Sequence, residues 1–195
     1  MNSALIRRFT VSEYHRMSEL GILFHTERTE LLNGEIFQLI DKSTAHTAAT
    51  RRTGDVFLLG LKGEYAVHIK APISLDEQSE PYPDVTVTVT DPEDFITHHS
   101  GPDEILLLIE VADSSLKHDL ETKAAAYAIA GIVEYWVLDV DNRRLFVFHQ
   151  PTASGYQTTK TYTDVDAIAP LFFKDFEIHI ADMLPPVIPQ VATEM

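Results

Sequence analysis

The chain contains no cysteine. Disulfides, thiolate nucleophiles and cysteine-bound zinc are therefore excluded. Cations are scarce: 15 lysines and arginines stand against 30 aspartates and glutamates, a formal net charge of -15. Such a balance argues against a general nucleic-acid coat, whose affinity comes from basic side chains on phosphate. It leaves a nuclease open, because carboxylates that hold a cation add negative charge at the site itself. No apolar run approaches the roughly 20 residues of a membrane span. The opening "MNSALIRRFT" has arginines but no apolar stretch behind them, so no secretory signal is expected and a cytoplasmic location is the default reading. Internal repeats and low-complexity stretches are also lacking. What is there is a chain of 195 residues, 45% hydrophobic. That suits one domain over residues 1–184, with a loose proline-containing tail over 185–195.

The local signals mix helix and strand. "TVSEYHRM" has Thr10 with Glu13 three residues on, a capping box that starts a short helix, with Gly21 to end it. "TELLNGEIFQLI" reads as a hairpin turning at Asn33-Gly34. Ser43 can cap a longer helix that Gly54 interrupts and Gly60 and Gly63 stop. "EYAVHIKAPISLD" reads as strand with a break at Pro72, and "DVTVTVT" alternates with period two. "EILLLIEV" is a continuous apolar run, expected of a strand covered on both faces. "SSLKHDLETKAAAYAIAG" is the clearest helix, and Gly131 stops it. "VEYWVLDV", "RRLFVFHQ" and "GYQTTKTYT" are further strands, with a hairpin turn just before Arg143. The expected fold class is mixed α/β: one central mixed β-sheet flanked by helices, with an N-terminal helix and hairpin.

Two acids sit where acids are costly. Asp84 opens "DVTVTVT" on the parity of its threonines. Glu110 follows five apolar residues and shares parity with Leu106 and Leu108. Burying an unpaired carboxylate costs several kcal/mol. Two carboxylates on adjacent strands can hold one hard cation, and the backbone carbonyl of Val111 can add another oxygen. A lysine beside them, Lys123, can orient water or stabilise charge on a phosphate. This geometry requires neighbouring strands with both carboxylates on the same face, and the Lys123 ammonium within about 6 Å of at least one of them, close enough to favour the charged forms of both.

The segments "TVSEYHRM", "TELLNGEI", "STAHTAATRRTGDVF", "PYPDVTV", "LLLIEVADSSLKHDLETKAAAYAIAGIVEYWVLD" and "FKDFEIHIADML" together resemble the Uma-type family of restriction-endonuclease-like proteins, in the PD-(D/E)xK nuclease superfamily. The resemblance implies a restriction-endonuclease-like core and a Mg²⁺- or Mn²⁺-dependent endonuclease acting on nucleic acid, DNA before RNA. A homodimer is compatible with it. It implies Asp84 and Glu110 as metal ligands and Lys123 as the lysine, carried on the following helix because Ala112 occupies the usual lysine position. Glu30, His46 and Tyr127 match accessory positions. The chain departs from the family in having Asp113-Ser114-Ser115 where Ser-Pro-Ser is usual.

Plainer readings stand beside these. Asp84 can cap a turn. Lys123 can pair with Asp119 four residues earlier on a solvated helix face. His46 reads as a partly buried or substrate-facing polar group, His98-His99 as solvated loop and Trp136 as core. Arg51-Arg52 reads as a helix face or a phosphate contact. The competing function is a non-catalytic binding or regulatory protein that keeps the nuclease fold.

Overall fold

Thr10 opens the first element. Its hydroxyl accepts from the Glu13 amide at 3.2 Å, and the Glu13 carboxylate accepts from the Thr10 amide at 3.1 Å. This capping box starts α1 (Val11–Glu19) at the expected place. The computed structural model describes residues 6–23, 28–40 and 42–187, so most of the expected loose tail lies outside the described residues. β1 (Thr29–Leu32) and β2 (Glu35–Gln38) form the expected hairpin. Its turn puts Asn33 at φ 52° and Gly34 at φ 72°. A Cβ on Gly34 would stand 2.5 Å from Arg8 Cβ, so both the backbone and the space require glycine there.

Ser43 caps α2 (Thr44–Gly60) by accepting from the His46 amide at 3.0 Å. Gly54 does not interrupt this helix, contrary to the sequence reading. It lies against the sheet, where an added Cβ would stand 2.3 Å from Ile69 Cδ1, so its smallness is spent on close packing.

Six strands make the central sheet in chain order: β3 (Ala66–Ile69), β4 (Val85–Thr88), β5 (Ile105–Ala112), β6 (Glu134–Asp139), β7 (Arg144–Thr152) and β8 (Gly155–Thr163). Only β5 and β6 run parallel. Their connection is the helical segment α3 (Leu116–His118), a π-helical turn (Asp119–Lys123) and α4 (Ala124–Ile129). β3 is shorter than the sequence suggests. Lys70 takes φ 53° just after it, and the chain then runs back to bridge Glu80 with Leu31 of the hairpin. Short strands β9 (Ala167–Ile168) and β10 (Ile178–His179) precede α5 (Ile180–Met183).

The sheet is covered on both faces, as the apolar run in β5 requires. Val85, Val87, Leu107, Ile109, Val111, Trp136 and Leu138 pack with α2 and α5. Leu108, Ala112, Tyr135, Val137 and Phe148 pack with α4 on the other face. Trp136 is core, as expected. Leu106 is not on the Glu110 side. The β4–β5 register shifts between Val87 and Thr88, pairing Thr88 with Ile105, and this bulge sends Leu106 to the α2 side. No helix among the described residues is long and apolar enough to cross a membrane.

Candidate active site

The two strand-borne acids meet where β4 begins and β5 ends. Asp84 directly precedes β4, and its carbonyl accepts from the Lys70 amide at 3.0 Å. The β4–β5 ladder pairs Val85 with Ile109, so one further step sets Asp84 opposite Glu110. Asp84 Oδ2 accepts from the Val111 amide at 3.0 Å and lies 3.2 Å from His46 Nε2. Thr50 donates to Oδ1 over a longer 3.4 Å. The first turns of α2 therefore reach past the strand end to hold Asp84. Burial works against its charge, but the His46 contact, the Val111 amide and Lys42 outweigh it and keep the carboxyl below its ordinary pKa.

Glu110 takes its partners from the other helical layer, so the two acids are held from opposite sides of the sheet and not from the one face expected; what they share is the strand-end cavity that both line. Glu110 Oε1 accepts from Lys123 Nζ at 2.9 Å and from the Tyr127 hydroxyl at 2.8 Å. Lys123 Nζ also lies 3.1 Å from Glu30 Oε1, and Glu30 Oε2 accepts from the Tyr82 amide at 3.0 Å. Lys123 is thus buried between two acids from β1 and β5, and is not the exposed partner of Asp119 on a solvated face. The stripe that carries both Asp119 and Lys123 faces inward, and it lies in the π-helical turn. Asp119 is buried as well, and Ser115 donates to its carboxylate at 2.7 Å.

The ammonium does not hold all these acids in their ordinary range. Burial opposes charge on Lys123, but Glu110, Glu30 and Asp119 outweigh it and raise its pKa. Burial pushes Glu110 up to about 8 despite Lys123, with Asp119, Asp84 and Glu30 adding to the rise. Asp119 is raised for the same main reason. The expectation that Lys123 would leave both acids readily charged therefore fails at Glu110, where desolvation wins.

Asp84, Glu110 and Lys123 line one cavity of about 30 Å³, together with Arg28, Lys42 and Lys70. Those three cations were not picked out from the sequence; they come from separate loops and share no spacing. Among the described residues, Glu110 Oε2 receives no hydrogen bond, and Asp84 Oδ1 receives only the long one from Thr50. Asp113 points away from this cluster: its Oδ2 accepts from the Ser43 amide at 3.3 Å, and contacts to Ser114 and Ser43 hold its pKa down at about 2 although burial opposes this.

A second group with ligand spacing lies at the opposite end of the β4–β5 pair. Asp91, His98 and Glu104 offer atoms within 4.8 Å of one another. They already bond locally: His98 Nε2 to Glu104 at 3.1 Å, and Asp91 to the Glu93 amide at 2.7 Å. His98 is exposed, as expected for this loop. Arg51 pairs with Asp55 at 2.7 Å on the exposed side of α2.

The sheet order, the helices over each face and the acid pair at the β4–β5 end define a nuclease-like fold. The chain matches the family Uma2, described as "Putative restriction endonuclease", over residues 11–181, and it belongs to that family. Among solved structures it is similar to one from Anabaena variabilis described as "a putative nuclease belonging to DUF820". The two superpose with a TM-score of 0.71 at 17% identity, covering 90% of this chain and 97% of that one. No curated protein matches the sequence.

Proposed function

We propose that this chain is a divalent-metal-dependent nuclease that hydrolyses phosphodiester bonds in DNA. The observation that carries the proposal is the meeting of Asp84 and Glu110 at one 30 Å³ cavity, with Lys123 fixed beside them. That volume is enough for one small occupant. Carboxylate oxygens with unspent lone pairs suit a hard cation such as Mg²⁺ or Mn²⁺. Asp84 and Glu110 would hold it, with the Val111 carbonyl. In an extended strand that carbonyl points to the same side as the Val111 amide, toward Asp84. When bound, the cation polarises a phosphoryl oxygen and makes water more acidic.

The side chains divide the remaining work. His46 and the Val111 amide fix Asp84 and keep it ionised. Tyr127 fixes the Glu110 carboxylate. Lys123 stays charged, so it is no general base. Two of its three donors are spent on Glu110 and Glu30, and the third can orient water or meet charge developing on the phosphate. Glu30 positions that ammonium. Arg28, Lys42 and Lys70 at the cavity offset the chain's overall negative charge and can contact the nucleic-acid backbone. A homodimer is part of this reading, and sedimentation tests it.

The test is cleavage of plasmid and single-stranded DNA in Mg²⁺ or Mn²⁺. Wild type should cut and Glu110→Ala should not. The same null result for both overturns the enzymatic reading.

One observation favours a non-catalytic binding protein instead: Lys123 bridges Glu30 and Glu110, so these buried charges compensate one another within the protein. On that reading calorimetry detects no Mn²⁺ binding that Asp84→Ala abolishes.

A further inference from the structure

Beside the acid cavity lies a larger one of about 220 Å³. The two share Leu39, Ile40, Lys42 and Lys123 in their walls, so they adjoin. Glu30 and Asp119 bring carboxylates to the walls of the larger cavity too, but it adds aromatic and aliphatic surface that the acid cavity has less of. Phe37 and His118 bring two rings together, centroids 4.9 Å apart and planes at 50°. Leu39 and Ile40 add aliphatic surface, and Ile40 is 74% exposed, an apolar side chain left open at the mouth. Gln38, Ser114 and Ser115 add hydrogen-bonding groups. A cavity of about 150 Å³ is known to hold a benzene ring, so this one has room for a substituted heterocycle.

We infer that this cavity takes one unstacked nucleobase of a single-stranded nucleic acid, whose phosphate lies toward the adjoining cavity of Asp84 and Glu110. The inference rests on the nuclease reading and names its substrate class. Aromatic and aliphatic walls accept the π-face of any base, while a few polar groups meet its edge. Lys42 lines both cavities, placed between base and phosphate; its amine donates only to Ser115, at 3.4 Å, among the described residues. A base inside a duplex cannot enter such a pocket without leaving its stack, at a cost of a few kcal/mol. Unpaired strands avoid that cost, so they are the preferred substrate.

The test uses a single-stranded oligonucleotide with 2-aminopurine at successive positions, and the protein in EDTA so that binding is separate from cleavage. Anisotropy reports binding, and 2-aminopurine fluorescence reports unstacking. Wild type should bind the single strand more tightly than the matching duplex and give a several-fold fluorescence rise at one position. Phe37→Ala should weaken single-strand binding about ten-fold. Ile40→Ala, at an exposed position that folding does not depend on, should reduce the fluorescence rise. Binding with no rise at any position, or equal affinity for duplex and single strand, overturns the base pocket and leaves the nuclease reading standing. If wild type neither binds the oligonucleotide nor cuts DNA with Mn²⁺, the nuclease reading falls and the pocket assignment falls with it.

Discussion

Lys123 Nζ lies 2.9 Å from Glu110 Oε1, and both side chains are at most 5% exposed. Removing one partner of a buried pair leaves an uncompensated charge, which costs more than the pair contributes. Above about pH 8, where Glu110 is ionised, Lys123→Met should therefore destabilise the metal-free protein by about 3 kcal/mol in urea unfolding. Mn²⁺ should recover part of that loss, since a cation at Glu110 replaces the missing ammonium. A loss below about 1 kcal/mol, the range of an exposed pair, would place Lys123 outside the acid cluster.

Glu110 sets a pH dependence. Its folded pKa is raised from 4.5 to about 8 by burial, so between those values the folded state keeps a proton that the unfolded state has released. Stability must then fall as pH rises through that window. The contribution is complete below about 4.5 and gone above about 8. Asp119, raised in the same way, adds to the slope. Glu110→Gln should flatten the metal-free stability profile between pH 5 and 8. Because a ligand must be deprotonated, Mn²⁺ affinity should rise over the same range. An unchanged slope in Glu110→Gln would contradict the assignment.

His46 acts on Asp84 through one contact, Nε2 to Oδ2 at 3.2 Å. Outer partners of a ligating carboxylate typically matter 10–100-fold in metal affinity. Calorimetry on His46→Ala should show Mn²⁺ binding weakened by about ten-fold or more, with the fold retained by circular dichroism. His46→Asn should restore part of the affinity if its amide reaches Asp84.

Gly60 tests how α2 is seated. An added Cβ would stand 2.1 Å from the Phe176 ring. Overpacking of this kind costs about 1–3 kcal/mol, while alanine's helix preference returns about 1. Gly60→Ala should lower thermal stability, and Phe176→Leu in the same chain should relieve the loss.

Much of this was legible in the residues themselves. The valine-threonine alternation placed Val85 and Val87 together in the core beside α2, although Thr86 and Thr88 on the other side are buried too, and Glu110 stood out because nothing in an apolar run explains a carboxylate. Asn33-Gly34 and the Thr10–Glu13 box specified their turns by local geometry alone. What stayed hidden depends on tertiary context. Asp119 and Lys123 have the spacing of an exposed helix pair, and only the packing of that stripe against the acids of β1 and β5 shows that both face inward. The bulge that turns Leu106 away from Glu110 is a property of strand pairing. Gly54 reads as a helix breaker until Ile69 is seen against it. Arg28, Lys42 and Lys70 converge from separate loops, so no motif connects them.

The most direct measurement is anomalous scattering from a crystal of the wild-type protein soaked in Mn²⁺. The account predicts a peak between the carboxylates of Asp84 and Glu110, at about 2.0–2.6 Å from an oxygen of each, and its disappearance in Asp84→Ala. A peak confined to Asp91, His98 and Glu104, or no peak while Lys123 keeps its contacts to Glu30 and Glu110, would contradict it.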